Sequence, residues 1–240
     1  HRDEYEVHEL SNDGDGGDQD TSGYDFYWLE YEDLDFERLT ENKRTLFNSY
    51  VIRKGLIRKA QIAFYLRKYL SKTTHSRLAK HLPDTFIFQL DYLDYIDEAL
   101  NEVYEVEVAM RENEALAANE DGTTKKFILK SSMTNKGAEM LLFDRRSQLE
   151  RYFQQRVDES EDETLDLREW VIQQYIQNPL QLAWYHNRKF HLRVYVVAVG
   201  NLNVYVYDNI LALFSLSTYN CPNKLPDNGE TNMKAHITIT

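Results

Sequence analysis

Three stretches of the sequence carry side chains suited to a phosphorylated ligand. In ILKSSMTNKGAEM, residues 128–140, a strand-like run delivers Lys130 and opens into a polar loop with Ser131, Ser132, Thr134, Asn135, Lys136 and Gly137. Lysines act as point charges against phosphate oxygens, and backbone N–H groups of such a loop can approach closely. The spacing is neither a GxxxxGK[ST] loop nor a dinucleotide fingerprint, and taken alone it also fits a plain hairpin loop. In EWVIQQYIQNPL, residues 169–180, an apolar run ends in Gln173, Gln174 and Tyr175 before Pro179 stops it. Backbone groups at a strand edge can bond a purine while apolar side chains cover its ring, although an ordinary edge strand reads the same way. In RKFHLRVYVVAV, residues 188–199, period-two alternation puts Lys189, His191 and Arg193 on one strand face. Three cationic groups on one face repel unless an anion neutralises them, which favours a site.

Regular elements must hold these residues. Ile62, Ala63, Leu66, Tyr69 and Leu70 recur at helical spacing between Leu56 and Leu70, with Lys59, Arg67 and Lys68 turned elsewhere. TFIFQL after Pro83 reads as a strand, and a helix is predicted over about 94–119 with Ile96, Leu100, Val103 and Met110 inward and Asp121-Gly122 as its stop. From Lys125 short strands dominate (KKFILKSS, MLLF, EWVIQQYI, HLRVYVVAV, NLNVYVYDNILALF), interrupted by a helix at about 145–156 and the acidic loop ESEDETLD. Gly200-Asn201 between two alternating runs predicts an antiparallel hairpin over 193–213. Aromatics between Tyr24 and Phe36 suggest a short strand or turn, and SNDGDGGDQDTSG within residues 1–23 reads as a disordered acidic lead-in. The expected class is α+β, with a lead-in at 1–23, an N-terminal subdomain with the basic helix at 24–122, and antiparallel-sheet subdomains at 123–240.

Composition narrows the function. Cys221 is the single cysteine, so neither an internal disulfide nor a thiol-based zinc site can form, and a reducing cytoplasmic setting is expected. No apolar run long enough for a membrane span and no secretory leader pattern is visible. A formal net charge of -12 opposes general nucleic-acid binding, yet residues 53–80 carry nine Lys or Arg and no acid, while residues 1–37 carry fourteen acids and one Arg. That basic segment is either a solvated helix face or a surface for phosphates or an acidic partner. The chain begins at His1 rather than Met and is expected to be a piece of a longer protein.

ILKSSMTNKG, VIQQYIQNPL, RKFHLRVYVV, VYVY and HITIT occur in the order and approximate spacing of tubulin-tyrosine ligase-like ATP-grasp domains, which the chain resembles over roughly residues 45–240. IRKAQ at 57–61 is similar to the segment that supplies an early nucleotide-contacting lysine in that family. RKFHLR and NILALF resemble a fungal, P-body-associated branch in which a SurE-like domain precedes the ligase-like domain and the mRNA decapping machinery is a partner. The resemblance implies an ATP-grasp fold, incomplete at the C-terminus, that uses ATP and Mg2+ to phosphorylate a carboxylate for attack by an amine. It assigns Lys59, Lys130 and Lys136 to phosphates, Gln173, Gln174, Tyr175 and Ile176 to the adenine, Lys189 and His191 to the ribose region, and Arg193 to the acceptor carboxylate. No metal ligand is assigned, because the family's magnesium-binding residues would lie beyond Thr240.

Several positions depart from the family pattern. His191 replaces the acid of RKFD, Leu213 stands where an arginine follows the VYVY strand, QKY reads QQY, HLTN reads HITI with Ile239 in place of an amide, and Glu139 replaces the second glycine of GxGI. Two readings remain: a tubulin-tyrosine ligase acting on an acidic, tubulin-like peptide tail, or a catalytically weak ATP-grasp scaffold that binds the mRNA decapping enzyme complex in cytoplasmic P-bodies. Direct nucleic-acid binding ranks last.

Overall fold

The computed structural model describes residues 24–41, 45–117, 122–134, 139–159, 165, 168–226 and 231–238. The expectations for the acidic lead-in, most of the acidic loop, Asp121, Lys136 and Ile239 lie outside the described residues. The chain divides into two compact units, residues 1–53 and 54–240. In the first, strand β1 (Phe26–Tyr27) precedes helix α1 (Phe36–Glu41) and pairs in parallel with β2 (Leu46–Phe47). Tyr27 and Leu34 are its buried centre, enclosed by Tyr24, Leu29, Phe36 and Phe47. The aromatic run that resembled a strand or turn therefore makes a small core of its own.

The second unit opens with α2 (Lys54–Ile57) and α3 (Lys59–Lys72), followed by strand β3 (Thr85–Gln89). The predicted helix over 94–119 is interrupted: α4 (Ile96–Asn101) and α5 (Tyr104–Ala117) are separate, although Ile96, Leu100, Val103 and Met110 are all buried as expected. Strands β4 (Phe127–Ser131) and β5 (Met140–Phe143), helix α6 (Arg146–Glu159) and strand β6 (Glu169–Gln174) follow. Where sequence alternation gave two strands there are four: β7 (Arg188–Arg193), β8 (Val196–Val199), β9 (Asn203–Val206) and β10 (Leu211–Thr218). β8 and β9 form the expected hairpin, with Gly200 in the left-handed region at φ 57°, while β7 pairs instead with β10, so the chain breaks at 194–195 and 207–210. A short helix α7 (Met233–His236) lies near the end.

β3, β6, β4 and β5 form one antiparallel sheet in that order, drawn from both sides of residue 122. Period-two alternation gives it two distinct faces. One carries Phe88, Phe127, Leu129, Phe143, Trp170 and Ile172, which pack with Leu100, Val106, Met110, Leu149 and Phe153 from α4, α5 and α6 and with Val103 of the turn between α4 and α5. Full burial of such side chains stabilises by about 1.5–3 kcal/mol each, and it fixes the register that sends their neighbours the other way. That second face carries Ile128, Lys130, Met140, Leu142, Val171 and Gln173.

Candidate functional site

Register explains why the second face gathers chemistry. Thr85 and Ile128 both lie opposite Gln173, and Lys130 lies opposite Val171. Lys130 Nζ donates to Gln173 Oε1 at 2.7 Å, and Gln173 Nε2 donates to Thr85 Oγ1 at 2.8 Å, so the amide is oriented from both sides. β4 runs into a turn whose Ser132 serves the start of α3. Its carbonyl accepts from Lys59 N at 3.2 Å, and its hydroxyl accepts from Ala60 N at 3.2 Å, satisfying donors that a helix N-terminus leaves unpaired. Lys59, the first residue of α3, reaches back to the Thr134 carbonyl at 2.6 Å. The loop and the helix start thereby hold each other, with Lys59 and Lys130 on a common cavity of about 600 Å³. Ile62, Leu66, Phe86 and Val171 supply apolar wall, and the volume lies within the range of small-molecule sites.

A third lysine joins from β7. Lys189 Nζ donates to the Tyr175 hydroxyl at 3.1 Å and stands 4.3 Å from that ring's centroid. Burial lowers the proton affinity of Lys59, Lys130 and Lys189 alike; the charge of Lys59 depresses Lys130 further, and that of Lys130 depresses Lys189, which falls to about 8. No carboxylate contributes to any of the three. Depression of this kind marks ammonium groups whose charged form a nearby anion would favour. Burial, with Lys189 and Lys126 adding to it, lowers His236 to about 4, so this ring is neutral.

The residues selected from sequence are only partly assembled. Lys59, Lys130 and Gln173 share the cavity, and Lys189 is close enough to Lys130 for their charges to interact. Tyr175 is buried, with its hydroxyl 2.8 Å from His236 Nδ1, while Gln174 and Ile176 are exposed. The expectation of a strand edge at Gln173 is corrected: β6 is an inner strand flanked by β3 and β4, and Gln174 N and Tyr175 N donate to the carbonyls of Asp84 and Lys126. Lys189, His191 and Arg193 do alternate along β7; His191 Nδ1 bonds Thr238 Oγ1 and lies opposite Leu213. Arg67, taken as turned away from the apolar stripe of α3, lines the cavity beside Leu66. Glu139, expected to oppose phosphate, pairs with Arg156 of α6 and accepts from Tyr152 Oη at 3.4 Å, so its charge is neutralised.

Sequence reasoning missed Tyr219 and gave His236 no role. His236 lies in the recognised HITI segment, but its partner Tyr175 is 61 residues away and no spacing rule joins them. Lys126, wholly buried, was also missed: its Nζ is held by Gln177 Oε1 at 2.9 Å and the Asn223 carbonyl at 2.8 Å, which tie β4 to the segment after β10. Among the described residues no group of three or more His, Cys, Asp or Glu side chains converges as a metal ion requires, and no helix is long and apolar enough to cross a membrane.

The chain is 34% identical over 223 residues to a protein of Schizosaccharomyces pombe named "Probable tubulin--tyrosine ligase", an alignment covering 84% of this chain and 54% of that protein. It is 35% identical over 218 residues to "Probable tubulin--tyrosine ligase PBY1" of Saccharomyces cerevisiae, covering 81% of this chain and 28% of that protein. It thus spans about half of one relative and under a third of the other. The crystal structure of the C-terminal domain of K. lactis Pby1, described as an ATP-grasp enzyme interacting with the mRNA decapping enzyme Dcp2, superposes with a TM-score of 0.56 at 34% identity, covering 82% of this chain and 49% of that one. The tubulin-tyrosine ligase family profile matches residues 37–240, and with these likenesses it establishes that the chain belongs to that family and has its ATP-grasp fold, for which ATP is the implied ligand.

Proposed function

We propose that the chain forms the nucleotide site of an ATP-dependent carboxylate–amine ligase. The observation that carries this reading is that Lys59 and Lys130 share one cavity and Lys189 lies near enough to feel the charge of Lys130, with all three proton affinities lowered by burial and those of Lys130 and Lys189 by a neighbouring ammonium as well. A triphosphate placed there relieves both penalties. Its phosphates rest against these three lysines, joined by Lys136 from the loop, and its purine lies beside Gln173, Gln174 and Ile176 at the end of β6. His191 stands near the ribose and Arg193 near the acceptor carboxylate. When bound, ATP would supply the phosphoryl group that turns a carboxylate into an acyl phosphate with release of ADP, and an amine would then displace phosphate to leave an amide. The contribution of this chain's lysines is electrostatic: they hold the phosphates and offset negative charge in a site partly shielded from water. No donor set for Mg2+ exists among the described residues, so the neutralisation assigned to them is that of the ammonium groups alone. The acceptor is an acidic, tubulin-like peptide tail.

A second reading has its own support. Leu213 faces His191 across β7 and β10, where family ligases place an arginine and an acid, and K. lactis Pby1 is described as interacting with Dcp2. In this reading the ATP-grasp fold is a cytoplasmic scaffold for the decapping enzyme in P-bodies, and nucleotide binding is dispensable. Calorimetric titration with ATP of the chain and of Lys130→Ala separates the two. Loss of one charge-assisted contact, about 1.5–3 kcal/mol, weakens ATP binding about tenfold or more. A decapping-enzyme complex that forms equally well with Lys130→Ala, while neither protein binds ATP, overturns the ligase reading.

A further inference from the structure

The resemblance places Tyr175 against the adenine, but the structure turns its hydroxyl to Lys189, His236 and Tyr219. Lys189 Nζ is 3.1 Å away and His236 Nδ1 is 2.8 Å away, within a buried cluster. An ammonium only donates, so the phenol oxygen accepts from Lys189 and its own proton is directed to His236 Nδ1. His236 is therefore the tautomer protonated at Nε2, in keeping with a ring that stays neutral. The ring of Tyr175 also faces the ammonium at 4.3 Å, a distance at which cation–π attraction operates. Tyr219 closes the other side: its ring centroid is 5.4 Å from that of His236 and 5.8 Å from Lys189 Nζ, and its hydroxyl is fixed by donation to the Gln177 carbonyl at 2.8 Å. Each component is tied to a different piece of chain: Tyr175 just beyond β6, Tyr219 just beyond β10, His236 on α7 and Lys189 on β7.

We infer that Tyr175 is a positioning residue, not a wall of the purine site: with His236 behind it, it aims the Lys189 ammonium at the ligand phosphates. This rests on the nucleotide reading above and deepens it. The charged and titratable groups facing Lys189 are Lys130 from β4, Tyr175 from the end of β6, Tyr219 and Cys221 from the segment after β10, and His236 from α7. None of them is a carboxylate, so the phenol is the polar anchor the ammonium has within this cluster. His236 can accept the phenol's proton because it carries no charge, and a protonated ring there would remove that acceptor and repel Lys189.

Two measurements test this. NMR titration of the Lys189 side chain without nucleotide, in the chain and in Tyr175→Phe, reads the contact independently of ATP. Phenylalanine keeps the ring and the packing and removes the hydroxyl, so the Lys189 midpoint, near 8 in the parent, falls. His236→Gln, which retains a hydrogen-bond acceptor, leaves it closer to the parent value. ATP titrations then show Tyr175→Phe binding about tenfold more weakly at neutral pH, with no further loss when it is combined with Lys189→Ala, as for two members of one contact. An unchanged Lys189 midpoint in Tyr175→Phe overturns the positioning role. So does a loss of ATP affinity that adds in full to that of Lys189→Ala, the pattern of a residue touching the purine. A lowered midpoint with no ATP binding by any of the proteins leaves the contact standing and removes the nucleotide reading instead.

Discussion

Glu139 shows how one side chain can replace a glycine. Its φ of 57° lies in the left-handed region that the family's second loop glycine would adopt freely, and its carboxylate is bound by Arg156 and Tyr152. Holding a side chain there costs about 1–2 kcal/mol, which the contacts to α6 offset. Glu139→Ala keeps the strain and loses the contacts, whereas Glu139→Gly loses the contacts but relieves the strain. Denaturant melts are expected to rank Glu139→Gly above Glu139→Ala in stability by about 1 kcal/mol, and the opposite order would show that the backbone is unstrained. His236 gives a second test at this scale. Its folded value near 4 lies below its ordinary 6.5, so the unfolded chain binds the extra proton between those values. Stability from this group is complete above about pH 6.5 and is lost as the pH falls toward about 4. His236→Gln is expected to flatten that acid limb of a stability–pH profile. The strand positions of Lys130 and Lys189 were legible because a strand end opening into a polar loop and alternation along a strand are local signals; the partnership of His236 with Tyr175 was not, because folding alone brings those segments together.

At the scale of elements, the loop after β4 and the start of α3 act as one piece. Ser132 is buried, caps α3 and thereby fixes Lys59 beside Lys130. Ser132→Ala is expected to cost about 1 kcal/mol in thermal or denaturant unfolding and to weaken ATP binding through Lys59. Retention of full affinity would show that Lys59 is placed by something else. The strand at Thr85–Gln89 was readable from composition and a helix between Leu56 and Leu70 from periodicity, although the break between α2 and α3 was not, and MLLF was read to its true bounds. Breaks within β7–β10 were not, since continuous alternation through VYVVAV and VYVYDNILALF hides the points where the chain changes partner. Gly200 is the local signal that did hold. A Cβ there meets nothing within 4 Å, so Gly200→Ala is expected to cost about 1 kcal/mol through its backbone alone.

For the whole molecule, a formal charge of -12 coexists with a cleft where Lys59 and Lys130 meet, lined also by Asp84 and Glu105, and where the charge of Lys130 reaches Lys189. Overall charge gave no hint of this, because the sum hides where each sign resides. Inner-strand placement of β6 was likewise invisible to sequence, since only the assembled sheet shows that β3 pairs with it. The most direct test of the cleft is the pH dependence of ATP affinity. Lys189 loses its proton near pH 8 in the free protein, and a phosphate bound beside it is expected to hold that proton to higher pH. Affinity is therefore expected to be level just below about pH 8, to fall above it by up to about tenfold per pH unit with proton uptake on binding, and to lose that fall in Lys189→Arg. ATP affinity that stays level from about pH 7 to 9.5, or that falls equally in Lys189→Arg, would contradict a phosphate site built on these lysines.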